Sequence, residues 1–118
     1  MRSAVNMPNL GAFSDARALA ELAHEAAEAG WDGFFLWDHI HSTEPIPFAD
    51  PWVALTAIAM RTERIRFGTL VTPLPRRRPW KVAREAVTLD HLSGGRLILG
   101  AGNRHAVLRY GTPSAALR

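Results

Sequence analysis

Residues 34–41, Phe-Phe-Leu-Trp-Asp-His-Ile-His (FFLWDHIH), carry an apolar run straight into a carboxylate and an imidazole. A run this short and this apolar, with Gly33 before it, reads as a strand over 33–37 that is buried on both faces, the form strands take in parallel sheets. Three further runs repeat the pattern. Ser3-Ala4-Val5-Asn6-Met7-Pro8 reads as a buried strand closed by proline, Arg64–Thr72 (RIRFGTLVT) as one ended by Pro73 and Pro75, and Arg96-Leu97-Ile98-Leu99-Gly100 as a fourth buried strand. Gly68 inside the third marks a bulge or the close approach of another group.

Helical patterns separate these strands. Asp15 caps a helix with Leu19, Leu22, Ala23 and Ala26 on one stripe and Glu21, Glu25 and Glu28 facing away, stopped by Gly30. Pro45 and Pro47 forbid regular structure in the loop 38–49, after which Asp50 caps a helix that opens on Pro51 and turns Leu55, Ile58 and Ala59 inward. The last helix opens at Pro79, carries Val82, Ala83, Ala86, Leu89 and Leu92 on its buried stripe, and ends at Ser93-Gly94-Gly95. The strand cores start near Ala4, Phe34, Ile65 and Leu97, a period of about 31 residues. This is a βα array, and right-handed crossovers between parallel strands fit an open sheet or a (β/α)8 barrel of about 250 residues. The fold class is α/β. The 118 residues hold about three and a half units, so they make a small open sheet or the N-terminal half of a TIM barrel.

Composition narrows the chemistry. A hydrophobic fraction of 47% with 21% charged residues fits a globular domain, and no apolar run approaches the roughly 18 residues of a membrane span, so a cytoplasmic protein is expected. The absence of cysteine removes disulfides, thiolate nucleophiles and cysteine metal sites. The net charge of +3 hides an asymmetry: residues 1–60 carry two arginines against eight acids, and residues 61–118 carry twelve bases against three acids. A basic half admits a nucleic-acid or phosphate partner, or simply two unlike faces of one domain.

In either parallel architecture the site lies at the carboxyl ends of the strands, which selects Asn6, Asp38, His39, Leu70, Val71, Thr72 and Gly100–Gly102. His39 can exchange a proton with a bound ring or a substrate hydroxyl, or it can be a loop histidine bonded to a backbone carbonyl. Asp38 can accept a substrate hydrogen bond or cap the loop that follows. Asp38, His39 and His41 match no standard metal-ligand spacing, so no metal is expected. Ser42 and Thr43 show no nucleophile-elbow pattern. Gly100-Ala101-Gly102 lacks the third glycine of a dinucleotide fingerprint. Arg76-Arg77-Arg78-Pro79-Trp80-Lys81 (RRRPWK) reads as a solvated loop at a helix start, where arginines and backbone N–H groups could also hold a phosphate or carboxylate, and as the natural contact surface if the chain were instead a small nucleic-acid-binding module.

Residues 29–40 (AGWDGFFLWDHI) and 50–102 (DPWVALTAIAMRTERIRFGTLVTPLPRRRPWKVAREAVTLDHLSGGRLILGAG) closely resemble the bacterial luciferase-like flavin-dependent oxidoreductases. The resemblance runs over about residues 2 to 102 and implies a (β/α)8 barrel. It also implies a cofactor, FMN or the deazaflavin coenzyme F-420, over the carboxyl ends of the strands, and a small-molecule substrate. Asp38 and His39 resemble the family's pair after the second strand, which implies an acid near the ring and a histidine that moves a proton. Leu70-Val71-Thr72 resembles the family's third-strand bulge behind the ring, often with a non-prolyl cis peptide. Gly100 and Gly102 match the glycine turn after the fourth strand, where the chain approaches the cofactor, and Asn6 joins these as a cofactor contact. Residues 103–118 depart from the family pattern, with no acid among them, and read as an atypical tail from a truncated or frameshifted gene. Loss of strands 5 to 8 would bare the outer sheet edges, which implies homo-oligomers, an assembly subunit completed by another half-barrel, or an inactive fragment.

Overall fold

The structure is a computed structural model that describes residues 1–102. Residues 103–118, expected to form an atypical tail, lie outside the described residues. Four parallel strands, β1 (Ala4–Met7), β2 (Gly33–Leu36), β3 (Arg66–Pro73) and β4 (Leu97–Gly102), form one sheet in sequential order β1-β2-β3-β4. Three helices connect them: α1 (Ala16–Glu28), α2 (Pro51–Arg61) and α3 (Pro79–Leu92). Sequential order with helical crossovers is the arrangement of a barrel wall, and the chain is a partial α/β barrel.

The helices begin where the sequence chemistry satisfies their orphan amides. Asp15 accepts a bond from the Arg17 backbone N–H at 3.0 Å, and Asp50 accepts from Trp52 N–H at 2.9 Å and Val53 N–H at 3.0 Å, with Pro51 at the first helical position. The core lies between the sheet and α1 and α2. Register aligns Val5, Phe34, Phe67 and Leu97 across all four strands, and every one of them packs into this core. Burial of each phenylalanine contributes roughly 1.5–3 kcal/mol. On the opposite face the same register aligns Asn6, Phe35, Gly68 and Ile98.

Arg96, just before β4, locks that strand to the end of α2. Its guanidinium donates to Ala59 O (2.8 Å), Thr62 O (3.0 Å), Ile65 O (3.2 Å) and the Thr62 hydroxyl (2.8 Å), and lies 5.3 Å from the Phe67 ring centroid. Burial pulls its pKa below the ordinary arginine value. A cation on the last carbonyls of a helix also meets the negative end of the helix dipole.

Three expectations need correction. β1 and β4 are not buried strands: Ala4 and Asn6 are exposed, and Ile98 and Leu99 keep 39% and 42% of their surface. Among the described residues each has a strand on one side only. For the same reason the α3 stripe is narrower than the sequence pattern, with Val82 and Leu89 buried, Ala86 partly so, and Ala83 and Leu92 exposed. Gly100 and Gly102 lie inside β4 and not in a turn after it.

Candidate functional site

The carboxyl ends of β2 and β3 are tied together by charge. Asp38 is buried just past β2, and its carboxylate accepts bonds from two guanidinium groups. Arg77 donates through Nη2 to Oδ1 and Oδ2 at 2.8 and 2.7 Å and through Nε at 3.2 Å, while Arg76 Nη2 bonds Oδ1 and also the Asp38 carbonyl. The Arg76 side chain is 3% exposed and the Arg77 side chain 16%. Arg77 also lies 5.8 Å from the Trp52 ring centroid at the start of α2. The basic cluster is thus not a solvated loop. Two of its three arginines turn inward because a buried carboxylate demands cationic partners, leaving Arg78 over the exposed Trp80 ring at 5.9 Å.

His39 follows as a half-buried residue whose ring centroid lies 5.1 Å from that of Trp37, tilted by 45°. Its backbone is held by Asn9, which is fully buried after β1: the His39 N–H donates to Asn9 Oδ1 at 3.2 Å, and Asn9 Nδ2 donates to His39 O at 2.7 Å and to Ala49 O at 2.8 Å. The sequence reading chose Asn6 and passed over Asn9. Asn6 sits inside β1, in the row with Phe35 on the face away from the helices, and not at the strand exit.

In β3 the peptide between Leu70 and Val71 is cis, and the pairing with β4 slips between Thr69 and Thr72. The two threonine hydroxyls, both buried, bond each other across this bulge. Leu70 and Val71 stand 44% and 47% exposed. The glycines opposite explain themselves by space: a Cβ on Gly68 would overlap the Ile98 carbonyl, one on Gly100 would lie 2.5 Å from Thr69 O, and one on Gly102 would lie 2.6 Å from Val71 Cγ1. β4 therefore lies against the bulge with bare backbone. The result is an apolar shelf beside glycine backbone, joined through β2 and β3 to the Asp38–His39 exit.

A cavity of about 880 Å³ lies at the other end of the sheet, among Arg2, Trp31, Asp32, Arg64 and Arg66, at the start of β1, β2 and β3. It is open and polar, and none of the selected residues lines it. Among the described residues no three His, Cys, Asp or Glu side chains gather as a metal site would need, and no helix is long and apolar enough to cross a membrane.

Comparison with known proteins gives these residues a context. The chain is 42% identical over 82 residues to 4-hydroxyprotoasukamycin monooxygenase of Streptomyces nodosus subsp. asukaensis, covering 70% of this chain and 22% of that protein. It is 38% identical over 96 residues to the F420-dependent glucose-6-phosphate dehydrogenase of Amycolatopsis mediterranei, covering 77% and 28%. Its fold superimposes, with a TM-score of 0.70 and 25% identity, on the oxygenating constituent of 3,6-diketocamphane monooxygenase from Pseudomonas putida in complex with FMN, over 86% of this chain and 29% of that one. The chain thus spans less than a third of the length of each of these proteins. The family model for luciferase-like monooxygenases matches residues 2–112, and the chain belongs to that family.

Proposed function

We propose that this chain supplies the cofactor-ring side of a flavin- or deazaflavin-dependent oxidoreductase or monooxygenase acting on a small molecule, in the cytoplasm, with FMN or coenzyme F-420 over the carboxyl ends of β1–β4. One observation carries the reading: the exposed Leu70–Val71 shelf is backed by side-chain-free β4 backbone at Gly100 and Gly102. A flat tricyclic ring needs an apolar wall of this kind, with few polar groups placed around it. The residues present fit such a ring. When bound, it supplies hydride or oxygen chemistry; the chain's own part is to seat it and to manage a proton. His39 holds or accepts that proton at its imidazole, and Thr72 supports the bulge behind the shelf. Asp38, engaged by Arg76 and Arg77, acts by fixing the strand exit and not as a proton acceptor. Asn6 faces the open side of the sheet and contacts the bound group there.

Among the described residues β1 and β4 each pair with a strand on one side only, which favours association of the chain with a second copy edge to edge. Light scattering of the purified chain tests this: a defined dimer supports it, and a strict monomer refutes it. The cofactor reading is tested by titrating the chain with FMN and with coenzyme F-420 and following fluorescence. Saturable quenching by one of them below roughly 100 μM is expected, and its absence for both refutes the reading.

A further inference from the structure

We infer that Asn9 is the positioning residue for His39. This rests on the proposed role of His39, but the geometry stands without it. The β1–β2 ladder runs in register from Ala4↔Gly33 to Met7↔Leu36, and the Trp37 N–H still reaches Met7 O at 3.0 Å. Beyond that point main-chain pairing ends, because Pro8 has no N–H and the Asn9 carbonyl turns to the Ala49 N–H at 2.9 Å. The Asn9 side chain takes over. Its carboxamide accepts from the His39 N–H and donates to the His39 carbonyl, gripping both backbone polar groups of one residue, and so the two peptides that flank its Cα, as a neighbouring strand would. Its second amide hydrogen goes to Ala49 O, so the end of the loop 38–49, just before α2, is fixed by the same group.

A carboxamide suits this position because it combines an acceptor with two donors on a short stem. Aspartate keeps the acceptor and loses both donors; leucine keeps the volume and loses everything polar. Asn9 is fully buried, so its bonds do not compete with solvent. With the peptides on both sides of residue 39 held, the imidazole starts from a fixed Cα beside the Trp37 ring. Asn9 itself acts only through His39.

The test uses the whole chain, 15N-labelled, first without cofactor. In the wild type the His39 amide should exchange at least about 100-fold more slowly than an unstructured peptide. Exchange at the unprotected rate overturns the inference, whatever becomes of any variant. Asn9→Leu should speed exchange at His39 at least about tenfold while Leu19 and Ala23 in α1 keep theirs; a uniform change across the chain overturns the specific role. The second arm is a cycle on cofactor affinity with Asn9→Asp and His39→Ala. Asn9→Asp should weaken binding at least about fivefold when His39 is present and leave it unchanged in the His39→Ala background. Equal losses in both backgrounds mean a merely structural asparagine. If the wild type binds neither cofactor, the proposed function fails, and the positioning role is then decided by imidazole resonances. Asn9→Asp must displace those of His39 while those of His24 and His91 stay in place, and no displacement at His39 overturns the role.

Discussion

Removal of the charge on Asp38 should cost this chain a large part of its stability. Asp38→Asn preserves shape but leaves two guanidinium groups, side chains 3% and 16% exposed, facing a neutral amide. Breaking a buried ion pair from one side costs about 3–5 kcal/mol, because the abandoned charge stays buried. That is a substantial fraction of the roughly 5–15 kcal/mol that holds an ordinary domain. Urea unfolding followed by tryptophan fluorescence would read it directly: with a slope of about 2 kcal/mol per molar, the midpoint should fall by about 2 M. Arg77→Gln removes the more exposed partner and leaves Arg76 on the carboxylate, so its midpoint should fall by less than half as much. A loss under about 1 kcal/mol for Asp38→Asn would refute the reasoning, since it would mean that the carboxylate and its arginines are solvated after all.

Arg96→Met keeps the length of the side chain but abandons the carbonyls of Ala59, Thr62, Ile65 and Ser93, and should destabilise by about 2–3 kcal/mol in the same assay. Gly100→Ala places a methyl 2.5 Å from Thr69 O and should cost about 1–3 kcal/mol as β4 is pushed off the bulge; an unchanged midpoint would show that β4 has room to move. The hydrogen bond from Arg61 holds the Glu21 carboxyl below its ordinary value of 4.5. Its small contribution is therefore present above pH 4.5 and fades as pH falls through the lower native value, so Glu21→Gln should flatten only that acid limb of the stability profile.

The sheet and its helices were legible because their signals are local. Asp15, Asp50 and Pro51 announce helix starts, and the strand period announces parallel crossovers. Burial of β1 and β4 was misjudged because the apolar pattern of a barrel strand describes the closed barrel, whereas exposure depends on which neighbours are present. The partners of Asp38 were not legible: Arg76 and Arg77 stand 38 and 39 residues away, and a run of three arginines followed by proline looks the same whether it faces water or a carboxylate. Asn9 carried a faint signal, an amide just after a strand-ending proline. Its three bonds reach residues 39 and 49, which only the fold brings near. The glycines of β4 are legible from their place at the strand's carboxyl end, the bulge at Leu70–Val71 only from family resemblance, and the structure supplies the steric reason for the glycines.

Seating of a flavin or deazaflavin ring on the Leu70–Val71 shelf is read by mapping amide chemical-shift changes in the labelled chain as FMN or coenzyme F-420 is added. Saturable changes are expected at His39, Leu70, Val71, Gly100 and Gly102, with Trp31, Arg64 and Arg66 at the opposite end of the sheet unmoved. Changes confined to that opposite end, or none anywhere, would contradict it.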